Sequence, residues 1–193
     1  MKIYVPYTNV QVGTRVILAP YDHELVLMEH GDSYPEYLAE RWRSGESFIN
    51  CEHDVIFWHG AIEELERCPN QWCAFGLQDP SGEQGAYTVF GHGAAPTFNL
   101  VKFADKFIAR YPDVWTDLLN DPPYNIQPQS RQKWEYCDWW LINYVATRWN
   151  DVCHQHFPPV ANANPVSQSI SITVAPVGAS SVASNTTGVK KQW

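Results

Sequence analysis

The stretch Phe48-Ile49-Asn50-Cys51-Glu52-His53-Asp54-Val55 is an apolar, strand-like run that ends in two carboxylates spaced i and i+2. In an extended backbone such residues stand roughly 6.5–7 Å apart on one face. Two oxygen ligands at that separation can close on a single hard divalent ion, and an ion so held can grip a diphosphate. The C-terminal end of a strand is also where open α/β sheets place their ligands.

The segments on either side build the rest of such a sheet. Ile3 to Tyr7 reads as a first strand, followed by polar Thr8-Asn9 and a short helix over 10–19 carrying Val12, Val16 and Ile17. Glu24-Leu25-Val26-Leu27-Met28 is a continuous apolar run, suited to a strand buried on both faces. Ser33-x-x-Glu36 has the spacing of a capping box and predicts a helix through Trp42 that Gly45 ends. After the 48–54 strand, Gly60 precedes a short helix with Ala61, Ile62 and Leu65 inward, and Trp72–Phe75 is a further strand. This alternation predicts a compact α/β fold with a mostly parallel sheet flanked by helices.

Further on, residues 76–96 are glycine-rich, with a turn at Asp79–Gly82, a strand at Ala86–Phe90 and a flexible point at Gly91-His92-Gly93. Thr97 or Asn99 can cap a helix in which Leu100, Phe103, Ala104, Phe107 and Ile108 recur at helical spacing. A last helix, apolar nearly all round, spans about 131–149. From Pro165 the chain turns to Ser, Val, Ala, Thr and Gly. The reading is one domain over 1–164 and a short, flexible, low-complexity tail over 165–193.

Composition bounds the function. The 193 residues are enough for one domain with a real core, and the net charge of -8 argues against a general nucleic-acid-binding surface. Nine Trp, ten Tyr and eight Phe give flat, rigid surface that serves cores and sugar or nucleotide sites alike. Five cysteines (Cys51, Cys68, Cys73, Cys137, Cys153) are an odd number in no disulfide-scaffold spacing, which suits reduced thiols. The N-terminus reads as a strand and not as a signal peptide, and no apolar run is long enough for a transmembrane segment. A soluble, cytoplasmic protein is expected.

Several segments in order resemble the GT-A-type (family 2-like) nucleotide-sugar glycosyltransferases. Val5-Pro6-Tyr7-Thr8-Asn9 resembles that family's opening strand and turn. Glu24 to Ser33 resembles its second strand and acidic turn, and Glu52-His53-Asp54 resembles its Asp-x-Asp metal motif. Trp134-Glu135-Tyr136-Cys137-Asp138, then His154 and His156, resemble its late acidic residue and metal-binding histidine. The resemblance covers roughly residues 1 to 160. This chain departs from the pattern in having Glu first in the metal motif and a short acceptor-side region. Only about twenty residues separate the Glu29–Asp32 turn from Glu52, so one strand–helix unit is missing.

The resemblance implies a GT-A-like, Rossmann-like fold and transfer of a sugar from a nucleotide-diphosphate donor to an acceptor hydroxyl. It makes Asp54 a metal ligand, with Glu52 a second ligand or a partner of the donor. His154 or His156 would complete the site. The ion would be Mn²⁺ or Mg²⁺, with Mn²⁺ suiting a mixed carboxylate and imidazole set. Pro6, Tyr7, Glu29, Asp32 and Glu52 would hold the donor. Asp138 would be the catalytic base, its pKa raised among apolar neighbours, with Glu135 the alternative one turn earlier. The acceptor stays open among glycan, protein, lipid and modified base.

Blander readings stand beside these. Glu52 and Asp54 could solvate a strand end, and Asp138 could be a helix-surface acid. His154 and His156, ahead of Pro158-Pro159, read as loop residues. Trp58, His59 and Trp72 suit packing better than sugar binding. Cys68, Cys73, Cys153 and His154 have the ligand types for zinc without the spacing of a known knuckle. Competing activities are a nucleotidyltransferase, a metal-dependent hydrolase and a catalytically inactive sugar- or nucleotide-binding relative.

Overall fold

The computed structural model describes residues 1–30, 32–78, 98–120, 137, 140, 141, 144, 145, 151 and 153–162. Within them lie strands β1 (Lys2–Tyr7), β2 (His23–Leu27), β3 (Phe48–Cys51), β4 (Val55–Ile56), β5 (Trp72–Gln78), β6 (Leu100–Phe103) and β7 (His154–Asn162). The helices are α1 (Val12–Leu18), α2 (Ser33–Ser44), α3 (Ala61–Arg67), α4 (Asp105–Arg110) and α5 (Val114–Asn120). The expected turn at 79–82, the strand at 86–90 and the tail over 165–193 lie outside the described residues, as does most of the last helix.

Among the described residues the strands form one seven-stranded sheet, in the order β2-β1-β3-β6-β5-β7-β4. This is the helix-flanked α/β fold that the strand–helix alternation predicts. Parallel pairing holds through β2, β1 and β3 and again between β5 and β7. β6 enters antiparallel between β3 and β5, and β4 lies antiparallel on β7.

The alternation of side chains sorts the core onto two faces. Phe48, Trp72, Val101 and Phe103 face α2, α4 and α5, with Trp42, Phe107 and Trp115 in the same layer. Ile49, Cys51, Cys73, Phe75 and Leu100 face α3 and the end of α1, packing on Leu18, Ala61, Ile62 and Leu65. Cys137, Leu141, Tyr144 and Val145, all helical, recur at i, i+4, i+7 and i+8 and complete the first layer. Trp42 anchors that layer: its ring meets Phe103 and Trp115 edge-on, and Nε1 donates to the Tyr111 carbonyl at 2.8 Å. Among the described residues no helix is long and apolar enough to cross a membrane.

Several local readings change. The Glu24–Met28 run is not buried on both faces: β2 is an edge strand, with Leu25 and Leu27 exposed and only Val26 and Met28 packed on the core. The helical spacing from Leu100 to Ile108 is shared by two elements. Leu100–Phe103 is a strand buried on both faces, and α4 begins only at Asp105. A run buried on both faces shows no period of two, so periodicity could not separate it from a helix. Ser33 opens α2 without forming a capping box; its Oγ accepts from the Glu29 and His30 amides at 3.2 and 3.0 Å. At the other end the helix stops as expected, with Gly45 at φ +71° and its N–H on the Trp42 carbonyl.

Candidate functional site

The chain leaves β1 through α1 toward one side of the sheet, then returns through α2 to β3 on the other side. Leu18 of α1 packs on one face and Leu38 and Trp42 of α2 on the opposite face. Strand order therefore reverses between β1 and β3, and at the C-terminal ends of these strands the exits of β1 and β2 part, β1 toward α1 on one face and β2 toward α2 on the other. The C-terminal edge beside these diverging exits is the crevice position of an open α/β sheet, where such sheets bind ligands. Three segments leave the strands at that end: Thr8-Asn9 after β1, Glu29-His30 and Asp32 after β2, and Glu52-His53-Asp54 after β3. The Gln11 N–H donates to the His53 carbonyl at 3.0 Å and ties the first loop to the third.

The carboxylate pair sits differently from the extended reading. β3 ends at Cys51, and His53-Asp54 form a turn before β4. Glu52 still continues the sheet edge, its N–H donating to the Asn99 carbonyl at 2.9 Å. Both carboxylates are half-buried. They share a turn rather than one strand face, so strand spacing does not set their separation.

Glu52 is held by a polar network that the sequence reading missed. The Tyr34 hydroxyl donates to Glu52 Oε1 at 3.2 Å. Asn50 Nδ2 donates to that hydroxyl at 3.0 Å and to the Phe98 carbonyl at 2.9 Å. Asn50 Oδ1 in turn accepts from the Tyr37 hydroxyl at 3.0 Å. Asn50 is fully buried and Tyr34 and Tyr37 nearly so. Burial, then the charge of Glu52, pushes the Tyr34 phenol well above its ordinary pKa and keeps it a donor. The available signal was Asn50 itself, a polar residue inside the apolar run Phe48–Cys51.

The other residues expected to hold a donor are placed as follows. Pro6 is buried and Tyr7 half-buried at the end of β1, where the Tyr7 carbonyl accepts from the Met28 N–H at 2.8 Å. Glu29 is exposed and Asp32 half-buried at the mouth of α2. Glu135 and Asp138 lie outside the described residues. Their neighbour Cys137 is buried in the α2-side core, close enough to Tyr34 to raise its phenol pKa.

His154 and His156 are not brought to Glu52 and Asp54. They stand on β7, three strands from β3. His156 shares a row with Phe75 and bonds Glu64 of α3, on the face opposite the one where Tyr34 meets Glu52. β4, which follows Asp54, meets β7 only at Ala161 and Asn162. Five or six residues of strand from His156 to there are on the order of 15–20 Å. The loop expected for the two histidines is a strand as well, with a register irregularity just ahead of Val160. The expected carboxylate–imidazole set is thus divided, with Glu52 and Asp54 after β3 and the two histidines on β7, on the face of α3.

No protein-family profile and no curated protein sequence matches the chain. Among solved structures, it is similar to the crystal structure of a glycosyltransferase involved in the glycosylation of the major capsid of PBCV-1, with a TM-score of 0.47 and 14% identity over 81% of each chain. A likeness at that level decides nothing about chemistry, which rests on the residues of the crevice.

Proposed function

We propose that this chain is a metal-dependent glycosyltransferase of the GT-A kind, moving a sugar from a nucleotide-diphosphate donor to an acceptor hydroxyl. The observation that carries the proposal is the placement of Glu52 and Asp54 at the strand-order reversal between β1 and β3, with Glu52 held by Tyr34.

The donor atoms at the crevice fit a hard divalent ion: two carboxylates, half-buried, one already oriented by a neutral donor. Glu52 and Asp54 would hold it. With His154 and His156 elsewhere the pair Glu52 and Asp54 is oxygen only, so it suits Mg²⁺ as well as Mn²⁺. When bound, the ion supplies Lewis-acid neutralisation of the leaving diphosphate. The protein's own part is to position. The Thr8-Asn9 loop, with Pro6 and Tyr7 behind it, flanks the donor on one side, and Glu29 and Asp32 line the nucleoside side. Asp138, or Glu135 one turn earlier, takes the acceptor proton; Cys137, which they flank, packs in the same core layer as Tyr34. An aligned base of this kind favours inversion at the anomeric carbon.

Calorimetric titration with UDP, GDP and their sugar conjugates, with and without Mn²⁺ or Mg²⁺, on wild type and Asp54→Ala tests this. Binding of one nucleotide class that requires both the ion and Asp54 is expected. Absence of any ion-dependent nucleotide binding overturns the proposal.

A further inference from the structure

The two histidines excluded from the crevice have partners of another kind. His154 and His156 stand two apart on β7 and point to the same side, with ring centroids 4.8 Å apart. Cys68 caps the C-terminus of α3, its N–H shared between the Glu64 and Leu65 carbonyls. One ligand atom from each of Cys68, His154 and His156 lies within 4.8 Å of the other two. Lys102 Nζ holds the Cys68 carbonyl at 2.6 Å, and Asn70 Nδ2 donates to Cys68 Sγ at 3.4 Å.

His156 supplies an independent observation. Its side chain is only 7% exposed, and Nδ1 meets Glu64 Oε1 at 2.7 Å. Its other nitrogen, Nε2, is buried with no hydrogen-bond partner. An orphaned buried nitrogen carries its full desolvation penalty, and this one lies beside two further metal-ligating side chains. The carboxylate fixes the tautomer: the proton sits on Nδ1 and the lone pair on Nε2. A carboxylate behind one ring nitrogen and a bare lone pair at the other is how proteins orient metal-binding imidazoles. Phe75, packed on the ring at 4.9 Å, fixes its plane.

We propose that Cys68, His154 and His156 bind a zinc ion that pins β7 to the end of α3. One thiolate and two imidazoles form a borderline-soft set that suits zinc and not the hard ion of the crevice. A tetrahedral zinc needs about 3.3–3.7 Å between ligand atoms, so the site closes by about an ångström on binding. Exposed His154 and half-buried Cys68 have the freedom to make that adjustment. Zinc takes Cys68 as the thiolate and each histidine through an unprotonated ring nitrogen. Chain elements 86 residues apart are thereby joined, which strengthens a strand that otherwise relies on β5 and the two-residue β4. The site does not depend on the transferase reading.

The test loads the full chain with Zn²⁺, removes excess by gel filtration and counts retained metal, then substitutes Co²⁺ and records the absorption spectrum. One zinc per chain is expected, with a thiolate-to-cobalt charge-transfer band and tetrahedral d–d bands. Cys68→Ser should abolish the charge-transfer band, and His156→Gln should release the metal during filtration. Asp54→Ala and Cys153→Ser should leave both readouts unchanged, which separates this site from the crevice and from the neighbouring thiols. Wild-type protein that retains no zinc and shows no thiolate band overturns the proposal. So does a band that survives Cys68→Ser, or one that disappears in Asp54→Ala.

Discussion

The Tyr34 hydroxyl donates to the Glu52 carboxylate at 3.2 Å, joining the first turn of α2 to the residue that follows β3. The contact crosses from helix to sheet at the mouth of the crevice, so it sets where the carboxylate points before any ligand arrives. Tyr34→Phe removes that donor and keeps the ring. A hydrogen bond to a charged group is worth about 1.5–3 kcal/mol, so ion-dependent nucleotide affinity should fall roughly tenfold or more. Calorimetry on the variant checks this. Wild-type affinity in a correctly folded Tyr34→Phe protein would show that Glu52 is not the group being positioned.

Asn50 is the hub behind that contact. It accepts from Tyr37 and donates to Tyr34 and to the Phe98 carbonyl, with no exposed surface. Asn50→Leu fills similar volume but leaves the Tyr37 hydroxyl and the Phe98 carbonyl unpaired. Each orphaned group costs about 1–3 kcal/mol, so a loss on the order of 3 kcal/mol is expected in urea denaturation. A loss under about 1 kcal/mol would mean that water or a neighbouring group takes over the hydrogen bonds.

How legible these features were depended on locality. β1, α2 and α3 could be read because each carries its own signal: an apolar run, a helix closed by Gly45, and Ala61, Ile62 and Leu65 on one helical face. Glu52 and Asp54 stood out for the same reason, as the acidic end of an apolar run, though the turn at His53-Asp54 did not. What could not be read was pairing between distant segments. β7 inserts beside β5 after a separation of about eighty residues, and its Pro158-Pro159 argues locally against a strand. That insertion decides that His154 and His156 face Cys68 and Glu64 rather than Asp54. The Tyr34–Asn50–Tyr37 network was hidden for a related reason, since a helix-to-strand hydrogen bond leaves no periodic trace in the chain.

Trp42 concentrates the packing of the α2 face. Its ring lies edge-on to Phe48, Phe103, Phe107 and Trp115, and its indole N–H donates to the Tyr111 carbonyl. Trp42→Ala removes both, and a loss of about 3–5 kcal/mol is expected, enough to unfold a marginal domain. Trp42→Phe keeps most of the ring contacts and drops only the donor, so it should cost about 1–3 kcal/mol. Thermal unfolding of the pair separates the two contributions. Equal losses would assign the role of Trp42 to its hydrogen bond and not to its packing.

Tyr37 gives the fold an alkaline limit. Burial pushes its phenol well above the ordinary value of 10.0, with the charge of Arg41 opposing the shift. Between the ordinary value and the raised one, the unfolded chain has lost a proton that the folded chain keeps. Unfolding therefore releases a proton in that window, and stability falls as pH rises. Below pH 10 both states keep the proton and the phenol contributes no pH dependence. Each such tyrosine adds at most about 1.4 kcal/mol per pH unit to the slope. Tyr34 is raised in the same direction and adds its own share. Burial also raises the Cys51, Cys73 and Cys153 thiols above their ordinary value of 9.0, so urea denaturation from pH 8 to pH 11 should show a decline that begins near pH 9 and steepens above pH 10. Tyr37→Phe should reduce the added steepness above pH 10 while lowering stability throughout by the hydrogen bond lost to Asn50. If the decline is equally steep in Tyr37→Phe, the proton is released elsewhere and Tyr37 ionises without unfolding the chain.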